Sequence, residues 1–127
     1  MAKKKPVFKI ESYGTYDQWN RNSNNIPKII KINETVALHL DVEFGLILSI
    51  KGGKGIKLDF RVIHPEFNDP EGNPADDFIG EHFVNSNDWK FFLGDTVWKP
   101  YDNKKGIWQF IINYDGKTIA KKNITIV

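Results

Sequence analysis

Every even position from 36 to 50 is apolar (Val36, Leu38, Leu40, Val42, Phe44, Leu46, Leu48, Ile50), while His39, Asp41 and Glu43 between them are polar. Side chains on a strand point alternately to opposite faces, so this period of two predicts a one-sided β-strand and fits no helical template as well. The run is long for a single strand. Gly45 predicts a bend or break within it, with the even face buried throughout. After the turn Lys51-Gly52-Gly53-Lys54-Gly55 the alternation resumes at Ile56, Leu58, Phe60 and Val62.

A third alternating run carries Trp108, Phe110, Ile112 and Tyr114 on one face, and Asp115-Gly116 follows it. Both central residues of a type I′ turn need positive φ, which Asp-Gly supplies, so residues 107–126 read as an antiparallel hairpin. A two-residue turn pairs Tyr114 with Lys117. If the ladder then ran unbroken, Phe110 would oppose Lys121 and Trp108 would oppose Asn123, driving polar side chains into the core. One extra residue in the last strand would invert that and place Ile124 and Ile126 under Trp108. A bulge between Ile119 and Ile124 is therefore expected.

The remaining segments are shorter. Val7 to Tyr13 reads as a first strand, with Phe8, Ile10 and Ser12 on one face and Lys9, Glu11 and Tyr13 on the other. The Asn-rich stretch from Gly14 to Pro27 reads as an ordered loop, because such side chains bond the backbone locally. Lys28 to Ile32, Phe78 to Val84 and Trp89 to Leu93 read as short strands, and the Pro/Gly/Asp-rich segment 65–77 as a connection. Short strands separated by turn signals predict an all-β antiparallel sandwich of about 7–9 strands, with a partly closed barrel as the alternative.

The 127 residues fit a single domain spanning 1–127, with 1–6 a flexible basic terminus built on Lys3-Lys4-Lys5. Eighteen basic against sixteen acidic residues leave +2, which gives no field favouring nucleic acid or membrane. No apolar run is long enough to insert into a bilayer. The chain has no cysteine, which fits a reducing compartment and removes disulfides and thiolate metal sites. As written, the protein reads as cytoplasmic; an exported protein lacking its leader would look the same.

Several residues carry a resemblance. These are Gly106, Trp108, Phe110 and Ile112 in alternation, the Gly116-Lys117 turn, and Ile119, Ile124 and Ile126 in the last run. Ser12-Tyr13-Gly14 with Tyr16, Phe44-Gly45, and His64-Pro65 before Asp69-Pro70 complete the set. With them the chain resembles, over nearly its whole length, a bacterial family of unknown function whose members are small immunoglobulin-like sandwich domains. The resemblance implies that fold and brings no catalytic residue with it.

His39, His64 and His82 have no partner at the spacing of a zinc motif, and the acidic loop Asp69, Glu71, Asn73, Asp76, Asp77 fails the calcium-loop template because Gly72 falls too early. No catalytic residue, metal ligand or cofactor is assigned. The residues expected to bind a ligand are Trp19, Trp98 and Tyr101, aromatic side chains in or near loops, where rings stack on sugars or anchor protein partners. The leading expectation is a non-enzymatic immunoglobulin-like binding or interaction module whose partner is a protein or a polysaccharide. The alternatives are a carbohydrate-binding module using those loop aromatics, and a hydrolase with dispersed acidic residues, which would need His64 to converge with two acids.

Overall fold

The computed structural model describes residues 5–17, 26–68, 71–98 and 102–127. Among these, nine strands follow in chain order: β1 (Val7–Tyr16), β2 (Ile29–Ile32), β3 (Thr35–Val36), β4 (Glu43–Lys51), β5 (Lys57–Ile63), β6 (Phe78–Phe83), β7 (Asp88–Thr96), β8 (Gly106–Tyr114) and β9 (Lys117–Ile126). A single 3-10 turn, Asp102–Lys104, precedes β8. The strands form two layers, a four-stranded sheet ordered β2-β1-β4-β7 and a five-stranded sheet ordered β3-β9-β8-β5-β6. All pairings are antiparallel except β3 with β9. The sandwich expected from the alternation is the fold observed.

The core lies between the layers. Phe44, Leu46, Leu48 and Ile50 from β4 meet Leu58 and Val62 from β5 and Trp108, Phe110 and Ile112 from β8, with Ile124 and Ile126 from β9. Phe44 sets its ring edge-on to Trp108 and to Phe110, at centroid separations of 5.0 and 5.8 Å, the arrangement that ring quadrupoles favour.

The long even-numbered run does not break at Gly45. It breaks earlier, over residues 37–42, where the chain leaves β3 in one sheet to enter β4 in the other. Asp41 takes a left-handed φ of 68° there. As a result Leu40 is 39% exposed and Leu38 and Val42 are only half-buried, so the even face is not buried throughout. Gly45 sits inside β4, where its missing side chain serves a close approach described below.

A second correction concerns β1. Its register against β4 shifts between Ile10 and Ser12, so the faces swap there. Phe8 and Ile10 point into the sandwich, and so does Tyr13, while Ser12 turns outward opposite Ile47. The expected bulge in β9 is present, one step nearer the turn than its expected range. Asp115 (φ 52°) and Gly116 (φ 76°) form the turn, Tyr114 pairs with Lys117, and the register then shifts so that Ile119 is skipped between Thr118 and Ala120. Ile124 consequently opposes Trp108, with both fully buried.

Placing the extra residue at Ile119 puts small Ala120 opposite Ile112 and leaves Lys122 opposite Phe110. Lys122 escapes burial because, among the described residues, β9 has no outer neighbour at that level. Its stem crosses the Tyr13 ring, with Nζ 3.8 Å from the centroid, and its ammonium donates to Glu34 Oε1 at 2.6 Å. Long basic side chains commonly cover apolar surface in this way while the charge reaches water or a partner.

Candidate functional site

Of the three expected ligand-binding aromatics, Trp19 and Tyr101 lie outside the described residues. Trp98 follows β7 and is half-buried at one end of the sandwich. Its ring stands edge-on to Phe67 (5.6 Å) and to Trp108 (6.3 Å), with Phe78 at 6.1 Å. Lys104 Nζ sits 4.5 Å from the Trp98 centroid and 4.2 Å from that of Phe67, and it donates to Asn103 Oδ1 at 2.6 Å. The Lys104 carbonyl accepts the Trp108 indole N–H at 2.8 Å, which ties this end to the core. Lys104 is only 1% exposed. A buried ammonium is costly unless it is bonded, and here the ring faces and the amide oxygen compensate. The Trp98 ring therefore carries an internal cation on its face. Nothing in the sequence singled out Lys104, which stands beside Lys105 like any solvated pair.

His64 is fixed at the same end. Its Nδ1 lies 2.8 Å from the Pro65 carbonyl oxygen and its Nε2 2.7 Å from that of Asp76, so the ring fastens the 65–77 connection to the end of β5. The partners are carbonyls, and the convergence of His64 with two carboxylates that a hydrolase would require is not formed among the described residues. Asp77 faces Arg61 at 3.7 Å, and Asp69 lies outside the described residues. His82 occupies the open side between β6 and β7. Its ring stacks on Phe91 with centroids 4.0 Å apart, and its Nε2 accepts the Trp89 indole N–H at 2.9 Å. Burial disfavours the imidazolium and lowers its pKa below the usual histidine value.

The outer face of the four-stranded sheet carries a feature that alternation does not announce. Gly14, Gly45 and Gly94 align across β1, β4 and β7. A methyl group on Gly45 would lie 2.2 Å from the Leu93 carbonyl oxygen and 2.5 Å from the Gly94 Cα. The Tyr16 ring spans this row to reach the Ser12 hydroxyl, and it packs against Phe92 with centroids 4.9 Å apart. With Ile47, and Ile26 against them, these residues form a second apolar cluster outside the main core. Glu43, also buried, accepts a hydrogen bond from the Thr96 hydroxyl at the head of this face.

Beside that cluster the sheet ends in β2. It pairs with β1 only at Gly14, Thr15 and Tyr16, and every one of its residues is exposed. Ile30 is 66% and Ile32 61% exposed, with Ile29 next to them and the exposed Lys28 and Lys31 interspersed. Three isoleucines on a terminal strand with no buried face form an apolar edge. The sequence signal was available: isoleucines at consecutive positions 29 and 30 leave no polar face, yet no core run adjoins them.

An immunoglobulin-like protein from Pseudomonas aeruginosa superposes with a TM-score of 0.75 at 17% identity, over 95% of this chain and 97% of that one. The CARDB domain of a Pyrococcus furiosus protein, solved in complex with di-metal ions, aligns over 96% of this chain and 89% of its own at 10% identity, with a TM-score of 0.39. Among curated proteins there is no match. The first likeness establishes the immunoglobulin-like fold, and the match of residues 4–126 to the family described as a domain of unknown function (DUF3859) shows that the chain belongs to that family.

Proposed function

We propose that this domain is a non-enzymatic interaction module that takes an extended polypeptide segment along the outer edge of β2. The observation that carries the reading is the exposure of the whole of β2, an end strand whose three isoleucines face solvent. A sheet edge presents unpaired N–H and C=O groups at the spacing an added strand needs, and adjacent side chains then supply the selectivity. Lys28 and Lys31 beside the isoleucines favour a segment in which apolar and acidic residues alternate. The rigid sandwich behind the edge, with Tyr16 and Phe92 locked over the glycine row, holds that edge in place before binding and so lowers the ordering cost.

Selection of random peptides on the immobilised domain tests this reading. Enriched sequences should alternate apolar and acidic residues and should lose binding to Ile30→Glu, a surface change that leaves the core intact. Failure to enrich any sequence, or equal binding to the variant, would reject it.

A further inference from the structure

At the end of the sandwich opposite Trp98, the seam between the two sheets is open. Among the described residues β1 has no outer neighbour before Gly14, and β9 none before Thr125, so both strands are sheet edges along this side. Lys122, Tyr13 and Glu34 close the upper part of the seam. Below them lies a cavity of about 320 Å³ lined by Lys5, Pro6, Phe8, Tyr114, Lys117 and Ile119, with Asp115 at the hairpin tip. That volume is at the lower end of the range for small-ligand pockets. Phe8 and Tyr114 form adjoining walls, their ring centroids 5.6 Å apart and inclined by 54°. Ile119 is the bulged residue of β9, so the irregularity that rescues the core register also shapes this cavity.

The lining sorts by chemistry. Phe8, Tyr114, Ile119 and Pro6 offer an apolar interior. The ammonium groups of Lys5 and Lys117, against the single carboxylate of Asp115, leave one positive charge in excess among the lining residues. An apolar body with one negative charge complements both parts: the body leaves water against the rings, and the anionic group stays at the wet mouth near the lysines, where its desolvation cost is small. We infer that this cavity binds a small organic monoanion with a flat or chain-like apolar body, such as an aromatic carboxylate. The site is separate from the β2 edge and stands or falls independently of it.

The probe is 1-naphthoate, with the uncharged 1-naphthalenemethanol as its partner, titrated into the isotopically labelled protein and followed by backbone amide shifts. Saturable shifts confined to residues 5, 7–9 and 114–120 are expected for naphthoate, with weaker binding of the alcohol. Lys117→Gln, an exposed change that spares the fold, should weaken naphthoate about twofold to fivefold, the scale of an exposed ion pair, and leave the alcohol unaffected. Three results would overturn the inference: no saturable shift at millimolar naphthoate, shifts centred elsewhere, or equal affinity for acid and alcohol with no effect of Lys117→Gln.

Discussion

The Tyr16 hydroxyl lies 2.8 Å from the Ser12 hydroxyl, four residues back along the same strand. Residues two apart on a strand share a face, so the position between them is Gly14, where a methyl group would collide with the Lys31 carbonyl oxygen of β2 and with Asn33. Tyr16 is only 2% exposed although it stands on the outer face of its sheet. Burial pushes its phenol up to about 12, against a smaller opposing effect of the Ser12 hydrogen bond.

The first prediction follows from that shift. The unfolded chain ionises this phenol near 10 while the folded protein retains the proton, so the stability due to Tyr16 is complete below pH 10 and is lost as the pH rises through about 12. Its full extent is on the order of 2–3 kcal/mol. A spectrophotometric titration should show one tyrosine ionising later than the rest, together with unfolding, and Tyr16→Phe should remove that step. Coincident ionisation of all tyrosines near pH 10 would contradict it.

His82 gives the opposite sign. Its imidazole is held neutral by burial, so below about pH 6.5 the unfolded chain binds a proton that the folded protein resists. Stability due to this group is therefore present above the unfolded value and falls as the pH drops through the lower folded value. Denaturation midpoints measured from pH 8 to 5 should decline, and the decline should be shallower in His82→Phe. Since Trp89 donates to the same ring, its fluorescence should change over the same interval. A midpoint profile identical in the variant would show that His82 does not govern the slope.

Gly45 and Gly116 both have positive φ, 153° and 76°, but they differ in surroundings. A methyl group at Gly116 meets nothing within 4 Å, whereas at Gly45 it collides with the backbone of β7. Gly116→Ala should cost roughly 1 kcal/mol, the conformational term alone. Gly45→Ala should cost on the order of 3 kcal/mol or more, because two paired strands have to separate. Chemical denaturation of the two variants measures the difference, and equal losses would mean the glycine row has no packing role.

Leu48 and Leu40 lie on the same alternating run but in different environments, one fully buried in β4 and the other exposed where the chain changes sheets. Leu48→Ala should cost about 2–5 kcal/mol through lost burial and the cavity left behind. Leu40→Ala should stay within about 0.5 kcal/mol, as surface changes usually do. Urea midpoints decide the matter.

Those two leucines also mark how far the sequence could be read. Alternation through Phe44 to Ile50 and Trp108 to Tyr114 identified core strands because a half-buried strand leaves that imprint directly on residue type. It continued through Leu38, Leu40 and Val42 although no strand is there, since a crossing between sheets requires a turn that Asp41 adopts without any glycine to signal it. The bulge in β9 was legible from polarity, because a regular ladder would have buried Lys121 and Asn123 and turned Ile124 and Ile126 outward. Its place at Ile119 was not, for that depends on Lys122 finding Tyr13 and Glu34 across the seam. Tertiary partners likewise explain why the cage around Lys104 and the bond between His82 and Trp89 left no local trace. Trp98 is legible in the sequence as an aromatic near a loop, but its ring partners come from distant segments.

The parallel pairing of Thr35 with Thr125 and Val36 with Ile126 bears on how the protein is made. A ribosome releases β3 long before the strand that will lie beside it exists. β9 pairs with β8 along most of its length and with β3 at Thr125 and Ile126, so β8 and β3 both lack that partner until β9 has left the ribosome. Folding governed by such distant pairings takes milliseconds to seconds. The vulnerable interval lasts until β9 is available to pair, and chaperones that shield open strands would have most to do before then.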